Sequence, residues 1–135
     1  MVPEPHNPDG SHSEHSVAVS DCGRYVVVKI VGEGPSHRAL EAAYEAHALG
    51  RSRGIRHFLC DYSEFRNIGS VGENYAAAYR GAREAPEIDR FARVAVLSSS
   101  DDRSHDFAEI VARNSGQDLK LFTDRDEAIR FLTEE

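Results

Sequence analysis

The residues able to do chemistry gather in one stretch of the chain. Asp61, Tyr62, Ser63, Arg66, Asn67, Gly69, Ser70 and Gly72 follow directly on an apolar run, Ile55 to Cys60. Ser70 opens the sequence Ser70-Val71-Gly72-Glu73, which has the S-x-x-E form of a capping box at a helix start. A hydroxyl there faces free backbone N–H groups and the positive end of the helix dipole, so a phosphate on it is stabilised. Phosphorylation adds roughly −1.5 to −2 charges, enough to switch a docking face. Asp61, at the expected end of a buried strand, reads either as a turn residue or as a ligand or phosphate-relay carboxylate. Helix capping is the simpler role for Ser70, and also for Ser36, Asp102 and Thr123.

Other chemistries lack their residues. A metal site needs several converging carboxylates, and Asp61 has only Asp101 and Asp102 as candidate neighbours, with no spacing that brings them together. His12 and His15 lie in a polar N-terminal segment. His47 falls on an apolar helix face and His57 within a strand. His105, near Asp101 and Asp102, is the one histidine placed for acid–base work. There is no G-x-S-x-G elbow, Walker A loop or G-x-G-x-x-G. Cys22 and Cys60 are too few for a disulfide scaffold and too far apart for C-x-x-C. Cys60 reads as a buried, inert thiol. The expectation is a chain with no catalytic residue, no metal and no cofactor.

These residues need a scaffold, and the composition allows one. The chain has 135 residues, 40% of them hydrophobic, and a net charge of −7. That length suits one domain. No apolar run approaches the roughly 20 residues of a membrane helix, so the chain is not expected to span a membrane. The acidic balance argues against nucleic acid or anionic lipid as partners, because both require clustered Lys and Arg. The N-terminal residues lack the basic start and apolar stretch of a secretory signal, which makes the cytoplasm the expected location.

Residues 1–16 hold three of the five prolines and three of the seven histidines. They read as a disordered tail ahead of a single domain at 17–135. Val17 and Val19, the turn Asp21-Cys22-Gly23 and the β-branched run Arg24 to Val31 read as a hairpin that ends at Gly32–Pro35. A helix capped by Ser36 and stopped at Gly50 follows. Strands are expected at Ile55–Asp61, Phe91–Leu97 and Leu119–Phe122. Helices are expected from Ser70, from Asp101 or Asp102, and from the Thr123–Asp126 region. The order is ββαβαβαβα, an α/β fold whose sheet is mostly parallel with an antiparallel N-terminal hairpin at one edge. Ligands of such sheets sit at the carboxyl ends of the strands. Residues 32–36, 61–70, 98–102 and 123–126 form that rim.

The element order and the segment from Phe58 to Gly72 resemble the STAS fold of sulfate transporters and anti-sigma-factor antagonists. In that motif an apolar strand leads into Asp-x-Ser and then a loop ending Asp-Ser-x-Gly. Asp61-Tyr62-Ser63 matches the first part, and Ser70 with Gly72 the second. Gly69 stands where the motif has its acidic residue. The ending, Leu121 to Asp124 and Glu127 to Leu132, resembles the bacterial SpoIIAA-like (STAS/SEC14-like) branch. The resemblance implies a non-enzymatic regulatory module that binds a protein partner, an anti-sigma factor or kinase-like protein. Its working surface is 61–70 and the following helix, with Ser70 as the phosphorylated switch. The SEC14 kinship implies an alternative, a carrier of a lipid or other small apolar ligand, with Tyr75 and Tyr79 in its groove. A further alternative is a receiver-like phosphoacceptor using Asp61.

Overall fold

The computed structural model describes residues 12–70, 73, 88, 89, 91–102 and 118–134. Its described elements are β1 (His12–Val19), β2 (Val26–Gly34), α1 (Ser36–Arg53), β3 (His57–Asn67), β4 (Arg93–Leu97), β5 (Asp118–Phe122) and α2 (Arg125–Thr133). The helices expected from Ser70 and from Asp101 or Asp102 lie almost wholly outside the described residues, as do residues 1–11.

The strands form one sheet in the order β1-β2-β3-β4-β5. β1 and β2 are antiparallel, and every later pairing is parallel. This is the mixed α/β sheet expected from the strand and helix order, with the hairpin at its edge. The two-residue period of the strands sends alternate side chains to opposite faces. Val26, Val28 and Ile30 of β2, Phe58, Cys60 and Tyr62 of β3, and Val94 and Val96 of β4 pack toward Ala42 and Ala46 of α1. Leu59, Ala95 and Leu97 point the other way, toward Ala128 and Leu132 of α2. The central strands are therefore buried on both faces, which explains their continuous apolar runs.

Several boundaries differ from the sequence reading. β1 begins at His12, so residues 12–16 are strand rather than tail. Their polar side chains suit an edge strand, and His15 Nε2 lies 2.7 Å from Glu45 Oε2 on α1. β2 runs on to Gly34 because its end pairs with Phe65–Asn67 of β3. Ser36 is the first residue of α1, and Pro35 holds the N-cap position. The fixed φ of Pro35 ends the extended strand and leads directly into the helix.

α1 does not stop at Gly50. It continues to Arg53 and ends at Gly54, whose φ of 69° is left-handed and favours glycine. Gly50 serves close packing instead. A Cβ there would lie 2.7 Å from the Ile55 carbonyl oxygen and 2.8 Å from Phe58 Cζ. Gly50→Ala is therefore expected to destabilise the protein by about 1–3 kcal/mol through overpacking, although alanine is the better helix former. Urea unfolding of the variant checks this, and a gain in stability would contradict it.

The C-terminal end of α2 is tied to the sheet by three basic side chains. Arg93 donates to the Phe131 carbonyl, Arg24 to the Thr133 carbonyl, and His57 Nδ1 lies 2.6 Å from the Leu132 carbonyl oxygen. Donors at this position satisfy the helix's last free carbonyls and, where cationic, complement its dipole.

Candidate functional site

Tyr62, Ser63, Arg66 and Asn67 were expected on a loop after a strand ending at Asp61, but β3 runs on to Asn67 and includes them. The strand extends past Asp61 by means of a bulge. Lys29 pairs with Asp61 and Val31 with Glu64, so one residue of β2 faces two of β3 between them. A bulge leaves backbone groups unpaired and bends its strand. Asp61 supplies the compensation. Its Oδ1 accepts hydrogen bonds from the Ser63 amide at 3.1 Å and from the Ser63 hydroxyl. Its Oδ2 accepts from Arg125 Nη1 at 2.9 Å. The Asp-x-Ser sequence is thus a clamp on the bulge, and Arg125, the first residue of α2, ties that clamp to the helix.

The Asp61 side chain is only 4% exposed, whereas that of Arg125 is 51% exposed. Burial pushes the Asp61 carboxyl up, but the bonds from Ser63 and then Arg125 outweigh it and hold the group below its ordinary value. With both oxygens engaged, Asp61 has no free face for a phosphoryl group. The sheet order also differs from the 2-1-3-4-5 order of receiver-type domains. Both observations count against the receiver-like reading.

Two further candidates lie inside rather than on a surface. Tyr62 is buried on the α1 face with its ring edge-on to Phe65, and it hydrogen-bonds with Cys60. Burial pushes the Cys60 thiol up to about 11, which makes it inert at neutral pH. Asn67 is also buried, and its Oδ1 accepts from the Gly69 amide at 2.9 Å, closing the turn after β3. The alternating pattern of β3 was the available sign that Tyr62 faces inward. The bulge hides the sign further along, because it shifts the alternation by one residue.

What remains exposed is a compact surface at the carboxyl end of β3. Glu64, Arg66, Ile68 and Ser70 are exposed there and Gly69 is half-buried. Ile68 is 50% exposed, and its amide donates to the Gly34 carbonyl at 3.0 Å, which fixes the loop against β2. Lys29 and Glu64 form an ion pair at 2.9 Å beside it. Ser70 caps as its motif predicts: Oγ accepts from the Glu73 amide at 3.1 Å and lies 3.2 Å from Glu73 Oε1. The Ser70 hydroxyl is therefore both exposed and held in one place. Gly72, Tyr75 and Tyr79 lie outside the described residues, as does His105. Arg125 and Lys29 are the residues that sequence reasoning missed. No local spacing links Arg125 to Asp61, since 64 positions separate them.

Among the described residues, clefts elsewhere include two. One of about 340 Å³ sits at the ends of β4 and β5, lined by Ser98, Ser99, Ser100, Asp102, Thr123 and Glu127 among others. Its lining is mainly hydroxyl and carboxylate. The other, about 220 Å³, lies at the opposite end of the strands between His47, Gly50, Phe58 and Asp89. Among the described residues, no group of His, Cys, Asp and Glu side chains is placed to hold a metal ion. No helix among them is long and apolar enough to cross a membrane.

No protein-family model matches the sequence. No curated protein matches it at a significant level. Solved structures do match. An anti-sigma factor antagonist from Mycobacterium paratuberculosis superposes with a TM-score of 0.58 at 18% identity, covering 96% of this chain and 100% of that one. A protein of the DUF3478 family from Shewanella loihica PV-4, described as having a SpoIIAA-like fold, superposes with a TM-score of 0.55 at 17% identity, covering 95% and 99%. At these identities the likeness is one of fold. With its hairpin-edged, mostly parallel sheet and these superpositions, the chain has a SpoIIAA-like fold.

Proposed function

We propose that this protein is a non-enzymatic, cytoplasmic regulatory module that docks a protein partner through residues 64–70 and the start of the following helix. The observation that carries this reading is the Ser70 surface. It is an exposed hydroxyl fixed at a helix start beside a half-exposed Ile68, on a loop anchored to β2. Rigid exposed loops on a sheet scaffold are where binding residues concentrate. The likeness in fold to an anti-sigma factor antagonist supports a partner of the anti-sigma or kinase-like kind. Ser70 is the proposed switch. A phosphate on it gains from the helix N-terminus and meets the Glu73 carboxylate, so modification rearranges the cap as well as recharging the surface.

The test is affinity capture from host lysate with the wild type and Ser70→Asp side by side, read by mass spectrometry. Aspartate is as good an N-cap as serine, so the variant keeps the helix start. The expected result is an ATP-binding, kinase-like protein retained by the wild type and lost with Ser70→Asp. Equal capture by both proteins, or no specific capture by either, contradicts the switch. The groove of the carrier alternative, with Tyr75 and Tyr79, lies outside the described residues.

A further inference from the structure

Among the described residues the sheet has two edge strands, β1 and β5, and they are not alike. β5 is five residues long and carries Asp118 and Lys120. β1 is eight residues long, and each of them pairs with β2 in unbroken register. It contains no Pro, Lys or Arg. Among the described residues, no strand pairs with its outer side. Sheets blunt their edges with short strands, lysines, prolines or bulges. β1 is neither short nor bulged and has no lysine or proline; its one acidic side chain is Glu14, so its outward N–H and C=O groups form a template for a strand that sets no acid opposite Glu14.

We infer that β1 pairs antiparallel with β1 of a second copy of this chain across a twofold axis at Ser16, joining two five-stranded sheets into one. Such an axis runs normal to the sheet, keeps α1 of both copies on the same side, and opposes residues that point to the same face. With the axis at Ser16, Ser13 meets Val19, Glu14 meets Ala18, and His15 meets Val17 of the second copy. The only acid of the strand thus faces a methyl group, and no like charges are opposed. The strand is also held ready. His15 is fastened to Glu45 of α1, and Val17 packs on the core beneath that helix. Pairing of β1 with β5 of another copy does not close and continues as a filament, whereas β1 with β1 closes as a dimer.

The inference is independent of the docking surface at Ser70. Sedimentation velocity of the full chain over a wide concentration range tests it, with Ala18→Glu and Ala18→Lys beside the wild type. Ala18 is exposed in the single chain, so both variants are expected to keep the wild-type circular dichroism and melting temperature. The wild type is expected to sediment as a dimer. Ala18→Glu opposes a carboxylate to Glu14 twice in each dimer and is expected to weaken association roughly tenfold. Ala18→Lys faces Glu14 with opposite charge and is expected to dimerise at least as tightly as the wild type. A wild type that stays monomeric at high concentration overturns the inference. So does an Ala18→Glu variant that associates as tightly as the wild type, or an Ala18→Lys variant that loses as much as Ala18→Glu.

Discussion

As the pH falls from 6.5 toward 4, the folded protein is expected to lose about 2–3 kcal/mol of stability through one side chain, His47. His47 is 6% exposed and lies stacked on Phe58 with ring centroids 4.2 Å apart. Its Nδ1 accepts a hydrogen bond from the Asp89 amide at 3.1 Å, so Nδ1 carries no proton in the folded state. Burial pushes its pKa down to about 4; Asp89 opposes that shift and Arg51 adds to it. A histidine with a depressed pKa binds its proton more readily when unfolded. Its stabilising contribution is complete above the unfolded value of 6.5 and is lost as pH falls through about 4. Urea unfolding at stepped pH measures the slope. His47→Asn places its amide oxygen near the Nδ1 position to accept from the Asp89 amide and removes the titration, so its stability is expected to be nearly flat over that window. An equal slope in the variant would assign the effect elsewhere. Below pH 4 a second loss sets in as Asp89 titrates. Its bonds from Arg56 hold it at about 2, and its contribution is present above the ordinary value of 3.8.

Asp61→Ala is expected to cost about 2–3 kcal/mol, because it removes two bonds to Ser63 and the pair with Arg125 at a buried position. Most of that loss belongs to the bulge. Arg125 is half exposed and regains water but leaves Asp61 Oδ2 without this partner, so Arg125→Ala is expected to cost about 1–2 kcal/mol, less than Asp61→Ala. Asp61→Asn can still accept from Ser63 and is expected to fall between the two. Chemical denaturation of the three variants gives the ordering. If Arg125→Ala proved as costly as Asp61→Ala, the ion pair rather than the bulge clamp would be the main role of Asp61. Because the Asp61 carboxyl lies below its ordinary value, its contribution is present above pH 3.8 and lost as pH falls below it.

Much of the fold was legible because local and tertiary signals agree. The hairpin turn at Gly23, with its left-handed φ of 75°, and the β-branched run of β2 each point to one structure. The S-x-x-E box is likewise formed by Ser70 and Glu73. The errors arose where a distant partner decides. Residues 12–16 look like tail, yet pairing with Lys29–Glu33 makes them strand. Gly50 looks like a helix stop, yet the nearness of Phe58 explains it. The bulge at Tyr62–Ser63 hid the length of β3, so Tyr62 and Asn67 were assigned to a surface that they support from inside. Asp61 was legible as a turn residue, and its bond from the Ser63 amide is that turn chemistry, but its pair with Arg125 was not legible, because Arg125 lies at the far end of the chain.

The most direct measurement of the docking account is hydrogen exchange by mass spectrometry on the wild-type protein, free and with the captured partner. Backbone amides over residues 64–70 are expected to exchange more slowly in the complex, while those at the His47 cleft stay unchanged. Protection confined to the His47 cleft or to the ends of β4 and β5, with 64–70 unaffected, would contradict the assignment of that surface.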